Sequence, residues 1–593
     1  MERSDLTSLM LGHRSRSRPR PGPEVFRSSP SLLAVALLFA APVSTAGAQS
    51  SRTAGYSNHA QLLSSVDSLR RAHPNLVAVS DVATSTEGRR IPLIRIASGE
   101  NADRRPAVLL VANAWGPQLI GSEIALGAAR RLVGSVNSDT AVRRLLSERT
   151  VYIVPRVNPD GAESFFATPM LERSLVGVPY DNDRDGKVDE DGPDDINGDG
   201  LITMMRIEDP AGEWITDPAD PFLMRRANAA RGERGRYKLM VEGLDNDKDG
   251  LFNEDGTGGT DINKNFPNDF EFFGDGGHYQ LSAPEARGVA ELFQKYGNIA
   301  AVYVIGPQDN LNTSWVGRRV AGIAGNPQGT SAGGPFTATL PEDDAWFAEG
   351  SRRFKSATGL QRGPSGAPGK GDVLSFAYYH MGRYAFGSRG WWAPGDAAAA
   401  GGSGAAADPI AEERATYHWL RDNRPDAIIE WKRVDHPDFP GKLVEVGGIA
   451  PHASINPPAS LVDSTVAQHT RFLREIVEML PSVALRDVQV ESVGNRVWRI
   501  SADVVNNGFL STLSGMGVRA RWAQRVRVDL NVGGKVSISS GKQTQLLSPL
   551  RGNGGFTRLS WVVIGDTGST ATLVAGSPVA GEATQTITLR NSR

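Results

Sequence analysis

The chain has 593 residues, of which 40% are hydrophobic and 22% are charged, and its formal net charge at pH 7 is −2. These are globular values for a chain of about two to four domains, and the near-neutral charge makes neither nucleic acid nor an anionic membrane surface an expected partner. Cysteine is absent, which excludes disulfides, thiolate zinc sites and cysteine nucleophiles.

Residues 1–48 have the pattern of a secretory signal peptide. A basic leader precedes an apolar run from Leu32 to Ala41, and Ala46 and Ala48 are the small residues of a cleavage site before Gln49. The alternative is a short membrane anchor, but the apolar run is about ten residues and a membrane span needs about 20. We therefore expect an exported protein with no transmembrane segment after cleavage. The long leader leaves Met10 as an alternative start.

From about residue 54 to 482, apolar periodicity predicts helices that alternate with buried strands. Helices are predicted around 62–69, 119–133, 285–296 and 464–480, and strands at 108–112, 151–154, 299–305, 427–431 and 443–446. This alternation predicts an α/β fold with a mixed, largely parallel sheet flanked by helices. The Gly/Ala-rich stretch 395–407 is typical of a mobile surface loop.

From residue 483 to 593 the apolar period changes to two. Alternation is clear at 488–490, 498–504 and 526–530, and turn clusters such as Asn506-Asn507-Gly508 separate the runs. No helical pattern competes with it. The segment is predicted to be a separate all-β sandwich, with Pro481 at the boundary.

The insertion 180–256 contains three acidic loops that begin like calcium loops. Oxygen-bearing residues at positions 1, 3 and 5 precede a glycine at position 6, which allows the chain to wrap around a hard cation. Position 12 is Gly192, Arg206 or Gly256 instead of glutamate, so these are not EF-hands. Calcium-binding loops and solvated acidic turns remain alternatives. The candidate calcium ligands are Asp181, Asp183, Asp185, Asp189, Asp195, Asn197, Asp199, Asp245, Asp247, Asp249 and Asn253.

Six landmarks in the α/β domain occur in the order that a known family has. They are Val111-Ala-Asn-Ala-Trp115-Gly-Pro-Gln118, Asn158-Pro-Asp-Gly161, Met205-Arg206, Gly259-Thr-Asp-Ile-Asn263-Lys264-Asn-Phe-Pro, Ser282-Ala-Pro-Glu, and Phe376-Ala-Tyr378 with Tyr384-Ala-Phe-Gly-Ser-Arg389-Gly-Trp391. Each is weak alone, but together they make the chain from about 54 to 480 resemble the zinc carboxypeptidase family, closest to exported bacterial members with acidic-loop insertions. The resemblance implies a peptidase fold that binds peptide C-termini and uses zinc.

At the family's metal and base positions, however, this sequence differs. The resemblance places zinc ligands at Trp115, Gln118 and Gly306 and the general base at Arg389. A catalytic zinc needs three nitrogen or oxygen ligands and an open position for water, from which a carboxylate takes a proton. None of the nine histidines is followed at the third or fourth position by a ligand in a zinc-binding pattern. We therefore predict that zinc is absent and that no catalytic residue is intact; a metal site assembled from scattered residues is the alternative.

Some family substrate contacts have counterparts. The resemblance assigns carboxylate binding to Asn263 and Lys264 and carbonyl polarisation to Arg206. Lysine lacks the bidentate fork of arginine, so Lys264 should bind a carboxylate less directionally. Alternatively, Asn263 and Lys264 are a capping pair and Arg206 pairs with nearby acids. Glu445 matches a family segment that lies away from the chemistry.

Three functions follow from these observations. The first is a non-catalytic pseudopeptidase that retains peptide or carboxylate binding, with a peptide or protein C-terminus as partner. The second is an active carboxypeptidase or other hydrolase with a relocated metal site. The third is a structural cell-surface module in which Trp115 fills the cleft.

Overall fold

The computed structural model describes residues 52–179, 187–188, 192–246, 248, 250, 252–253, 258–272, 274–315, 338–361, 363, 366, 369–394 and 410–590. The predicted leader, the predicted loop at 395–407 and the calcium candidates Asp181, Asp183, Asp185, Asp189, Asp247 and Asp249 lie outside these residues. The described residues belong to one compact unit. Among them, no helix has the length and apolarity that a membrane crossing requires.

A six-stranded mixed sheet organises the first part of the chain. Its strands in spatial order are β1 (Val77–Thr84), β2 (Arg90–Ile96), β4 (Thr150–Val154), β3 (Ala107–Ala112), β11 (Ile299–Ile305) and β12 (Tyr384–Ser388). The β4, β3, β11 and β12 strands run parallel, and β1 and β2 add an antiparallel edge. Both β3 and β11 are buried along their whole length, as strands covered on both faces must be. The predicted mixed α/β sheet is confirmed.

Helices cover both faces of this sheet. They are α1 (His59–Ala72), α2 (Ile120–Ser135), α3 (Thr140–Glu148), α4 (Pro159–Glu163), α5 (Pro284–Lys295), α6 (Asp344–Thr358), α7 (Val373–Ser375, continued by a π-helix over Phe376–His380), α8 (Ala411–Asn423) and α9 (Ala459–Met479). A capping box of Asn58 and Gln61 starts α1, which buries Leu62, Val66 and Leu69 on one face. The long α9 packs against α2 and α6, while α1 and α5 pack against β1.

A second sheet corrects one expectation from the sequence. Its strands in spatial order are β13 (Ile428–Val434), β14 (Val444–Ile449), β6 (Met204–Glu208), β9 (Tyr237–Val241), β7 (Trp214–Thr216) and β8 (Met224–Arg226), all antiparallel. The strands predicted at 427–431 and 443–446 therefore do not join the main sheet. The burial of β13 is consistent with this: every residue of the strand is partly or fully exposed, as is typical of an antiparallel sheet with one face open to solvent and not of a central parallel strand. Strands β5 (Leu175–Val176) and β10 (Thr260–Asp261) form a separate pair.

The C-terminal part is all-β, as predicted. One sheet has the order β15 (Val483–Gly494), β16 (Val497–Asn506), β20 (Gly555–Gly565), β18 (Val536–Ser540), and the other has β19 (Thr544–Leu546), β17 (Arg527–Val532), β21 (Thr570–Ser577), β22 (Gly581–Thr588). Alternate residues of both sheets, among them Ile500, Val528 and Trp561, form one buried core.

A short helix, α10 (Gly515–Ala520), joins the sandwich to the α/β part. The buried carboxylate of Asp343 accepts hydrogen bonds from the backbone N–H of Gly515 at 2.6 Å and of Met516 at 3.0 Å, and from the Tyr378 hydroxyl at 2.9 Å. Gly515 and Met516 are the first two residues of α10, and a carboxylate at the N-terminus of a helix also complements the helix dipole. Asp343 thus fastens the two parts of the chain together.

Candidate functional site

The four positions that the sequence singles out lie at adjacent strand ends. Ile305, the last residue of β11, pairs with Ala112 of β3 on one side and with Ser388 of β12 on the other. Trp115 and Gln118 follow β3, Gly306 follows β11 and Arg389 follows β12. Because these three strands are parallel, all their carboxyl ends meet at one edge, where α/β sheets bind ligands.

A tight turn after β3 presents Trp115 and Gln118. Asn113 has a φ of 54°, and its side-chain amide donates to the carbonyl oxygens of Trp115, Gly116 and Gln118 at 3.0, 3.0 and 3.1 Å. A Cβ on Gly116 would lie 2.7 Å from the carbonyl oxygen of Arg173, so only glycine fits there. The turn is therefore fixed by packing and by hydrogen bonds.

Gln118 is a buried amide that contacts the strand end carrying Arg389. Its side chain is 3% exposed, and its Nε2 donates to the carbonyl oxygen of Arg389. Its Oε1 is buried and accepts no hydrogen bond from the described residues. The neighbouring Pro117 carbonyl accepts from Asn456 Nδ2 at 2.9 Å and lies 3.0 Å from the His452 ring. Gln118 is thus held in place with one acceptor atom to spare.

Arg389 is ion-paired, not free. Its Nη1 donates to Oε1 of Glu412 at 3.2 Å, and its side chain is 29% exposed. The next carbonyl, of Gly390, lies 2.7 Å from Nε2 of the buried His469, whose Nδ1 lies 2.5 Å from the Tyr303 hydroxyl. Burial lowers the pKa of His469 to about 4, so the ring is neutral, with Nε2 donating and Nδ1 accepting. The buried hydrogen bonds from Tyr303 to His469 and from His469 to Gly390 thus hold the backbone next to Arg389 in place.

Around these residues lies a cavity of about 630 Å³. Trp115, Gln118 and Arg389 line it together with Trp391, Trp392, Glu412 and Glu413. Its size lies within the range of small-molecule sites, roughly 300–1,000 Å³. Trp115 therefore forms part of a wall and leaves the cleft open.

The side chains at these positions do not fit a catalytic zinc. The indole of Trp115 is a donor only, Gly306 has no side chain, and Arg389 is a cation. Gln118 commits its Nε2 to the Arg389 carbonyl, which leaves one neutral oxygen where three ligands are needed. In the described parts of the chain, no group of three or more His, Cys, Asp or Glu side chains is arranged to hold a metal.

The predicted substrate contacts do not line this cavity. Arg206 pairs with Glu445 at 2.8 Å and stacks on Trp431 at 4.5 Å, in the second sheet. Lys264 pairs with Asp275, and both side chains are 47% exposed. Asn263 is buried and donates to Gln308 Oε1 at 2.8 Å, two residues beyond Gly306. The three side chains thus act in local contacts, and only Asn263 touches the segment that follows β11.

Several residues of the cavity were missed from the sequence. Trp391 and Trp392 come after Arg389 and Gly390, and the aromatic pair shortly after a strand end was the available signal. Glu412 and Glu413 lie on α8, beyond a segment of low complexity, and nothing in the local pattern predicts that they face Arg389. Their position is a property of the tertiary fold.

The described acidic loop folds as a compact turn. Asp195 accepts from the backbone N–H of Gly198 at 2.8 Å and of Gly200 at 2.7 Å, and Asn197 accepts from Asp199 at 2.8 Å. Burial, with the charge of Asp195, raises the pKa of Asp199. The third loop is joined to it, because Asn253 Oδ1 accepts from the backbone N–H of Asp194 at 2.9 Å. Asp245, the other described candidate, donates its backbone N–H to Asp438 at 3.2 Å.

Comparison with known families gives two matches. The model described as zinc carboxypeptidase matches residues 62–386, and a domain of unknown function matches residues 482–588. The first match covers more than half of the chain and includes β3, β11 and the first three residues of β12.

Individual relatives match over shorter stretches. Carboxypeptidase E of Caenorhabditis elegans is 31% identical over 124 residues, which is 20% of this chain and 26% of that protein. A zinc carboxypeptidase of Saccharothrix mutabilis subsp. capreolus is 28% identical over 115 residues, which is 19% of this chain and 26% of that protein. The matched segments span about a quarter of these relatives. The solved structure of thrombin activatable fibrinolysis inhibitor has a TM-score of 0.38 and 11% identity, over 71% of this chain and 73% of that one.

Proposed function

Since the chain belongs to the zinc carboxypeptidase family, we propose that it is an exported member that binds a ligand in its cleft and does not hydrolyse it. Export rests on the leader pattern of residues 1–48. The absence of hydrolysis rests on the side chains at the ancestral metal and base positions. Binding rests on the open cavity beside them.

One observation carries the proposal: two of the four substituted positions are tied to each other, and the one at the base position is ion-paired. Gln118 donates to the backbone carbonyl of Arg389, and the Arg389 guanidinium pairs with Glu412, which also lines the cavity. A cation therefore stands at the position where the family's hydrolysis needs a carboxylate base. The side chains support a scaffold that keeps its pocket but has lost the reaction.

The competing functions have less support in the described residues. A relocated metal site would need a cluster of ligands, and no such cluster of three or more occurs in the described ranges. A filled cleft would leave no space, whereas about 630 Å³ remains beside Trp115. We also propose that calcium stiffens the acidic insertion, because its turns share the opening pattern of calcium loops.

Zinc stoichiometry tests the proposal. The purified protein is incubated with excess zinc, dialysed in millimolar calcium to occupy the acidic loops, and analysed by mass spectrometry of the metal. We expect far less than one equivalent of zinc. A near-equimolar content that a Gln118→Ala variant lowers would show that the cleft holds the metal, and would contradict the proposal.

A further inference from the structure

The ligand class of the cleft can be narrowed by its charge. Among the described lining residues the only cation is Arg389, and it is paired with Glu412, while Glu413 adds a second carboxylate. The other two cations marked by the sequence are paired with acids outside the cavity, Arg206 with Glu445 and Lys264 with Asp275. A ligand carboxylate would meet compensated or negative charge here, so carboxylate recognition is disfavoured.

The apolar part of the lining is dominated by flat aromatic surface. Three of the chain's 11 tryptophans line this one cavity, and they come from two different strand ends. Trp391 packs edge-on against Trp419, with ring centroids 5.4 Å apart, and Trp115 and Trp392 remain partly exposed. Rigid aromatic rings in the lining of a cleft favour a ligand that presents flat apolar faces.

The polar part of the lining is rich in acceptors. Oε1 of Gln118 is buried in a side chain that is 3% exposed, and it has no partner among the described residues. A buried acceptor without a donor is destabilising, and a ligand O–H or N–H would satisfy it. Glu413 offers further acceptors, while Thr416 and Ser454 offer hydroxyls that donate or accept.

We infer that the cleft binds a saccharide: a neutral, hydroxyl-rich ligand whose sugar rings lie against Trp115 and Trp392 while its hydroxyls donate to Gln118 and Glu413. A sugar ring combines a flat C–H face with a rim of hydroxyl groups, and it carries no charge that Glu413 would repel. The inference rests on the proposed function, because it assumes that the cleft binds a ligand and holds no zinc. No covalent step is involved.

The test is a tryptophan-fluorescence titration of the full chain with cellohexaose, chitohexaose, maltohexaose and xylohexaose, followed by pull-down with the matching insoluble polysaccharides. We expect at least one oligosaccharide to bind saturably. Trp115→Ala and Trp392→Ala should each weaken it about tenfold, and Trp392→Phe should retain most of the affinity. Trp522→Ala is the matched control, because Trp522 is 51% exposed and does not line the cavity. Binding to an insoluble polysaccharide but not to its soluble oligosaccharide would show that the ligand is the polymer, which has the same sugar chemistry.

Each other outcome overturns the inference in a recognisable way. No saccharide binding by a correctly folded protein, or equal binding by Trp115→Ala, Trp392→Ala and wild type, rejects it. If peptides bind instead, uncut and sensitively to Trp392→Ala, the saccharide assignment fails and the proposed function stands. Stoichiometric zinc in the cleft with release of C-terminal residues rejects the proposed function itself. Melting curves of every variant establish that the folded proteins are being compared.

Discussion

At the scale of residues, Gln118, Arg389 and Glu412 in the cleft depend on one another for their polar contacts. The Gln118 amide requires the Arg389 carbonyl, and the Arg389 guanidinium requires Glu412. Substituting Gln118 or Arg389 alone with the family's residue would therefore leave its hydrogen-bond or ion-pair partner unsatisfied, without creating a zinc site. Only combined substitutions can test what was lost.

The first prediction restores the ligands with Trp115→His, Gln118→Glu and Gly306→His together. A Cβ at Gly306 would meet nothing nearer than Val304 Cγ1 at 3.5 Å, so the backbone there accepts a residue with a side chain. The triple variant should bind zinc at least about tenfold more tightly than wild type, because it supplies three nitrogen or oxygen ligands at adjacent strand ends. It should gain little peptide turnover until Arg389→Glu is added. Equal zinc affinity in calorimetry, or full turnover with Arg389 in place, would contradict the assignment of these positions.

The second prediction concerns Glu285, which is 1% exposed. Burial raises its pKa from 4.5 to about 7, with Asp160 and Glu87 adding to the effect. Between these pH values the folded state keeps a proton that the unfolded state has lost, so stability falls as pH rises through this window. Glu285→Gln should raise the free energy of unfolding by about 3 kcal/mol at pH 8 and by less than about 0.5 kcal/mol at pH 4.5.

Urea unfolding at the two pH values measures this difference. Glu291→Gln, an exposed change on the same helix, should alter neither value. A gain from Glu285→Gln of the same size at both pH values would show that charge is not the cause.

At the scale of elements, Asp343 fastens α10 of the sandwich to the α/β part through two backbone N–H groups and the Tyr378 hydroxyl. Asp343→Ala leaves these buried donors without an acceptor, at a cost of about 2 kcal/mol or more. We expect a lower melting temperature and partial separation of two unfolding transitions in calorimetry. The exposed neighbour Glu342 provides the control variant Glu342→Gln. A single transition at the wild-type temperature would show that Asp343 does not couple the two parts.

Calcium gives a second prediction at this scale. If the acidic loops bind the ion, calcium at a hundred times its dissociation constant stabilises the folded state by about 2.7 kcal/mol. The melting temperature should rise in millimolar calcium, and the 180–256 insertion should resist proteolysis. Asp195→Asn with Asp199→Asn should remove part of both effects, because Asp195 organises the described turn. Identical melting and cleavage in calcium and in chelator would leave solvated acidic turns.

The elements that could be predicted from the sequence are those with strong local patterns. Buried runs such as β3 and β11 were predicted correctly because their burial is complete, and β16 because its alternate residues Trp498, Ile500, Ala502 and Val504 are all buried. The second sheet was not predicted, because β14, the neighbour of β13, pairs with β6, more than 200 residues earlier. The order of landmarks assigned the family's metal and base positions to Trp115, Gln118, Gly306 and Arg389, and that assignment stays a prediction. The acids that pair with Lys264, Arg389 and Arg206 could not be predicted. They lie 11, 23 and 239 residues further along the chain, respectively, and no local pattern encodes such pairings.

At the scale of the whole molecule, a zinc carboxypeptidase fold is joined to a β-sandwich through buried contacts. The described cleft lies at the carboxyl edge of the main sheet, and its lining couples tryptophans with an internally compensated charge pair. We propose that this fold keeps a place for a ligand while Trp115, Gln118, Gly306 and Arg389 neither hold zinc nor activate water.

The most direct measurement is peptide turnover. The purified protein, supplied with zinc, is incubated with a library of peptides that differ in their last residue, and mass spectrometry records any loss of C-terminal residues over a day. We predict no release above a buffer control, and the same result with and without chelator. Release of C-terminal residues that chelator abolishes, and that Gln118→Ala or Arg389→Ala eliminates, would contradict the account.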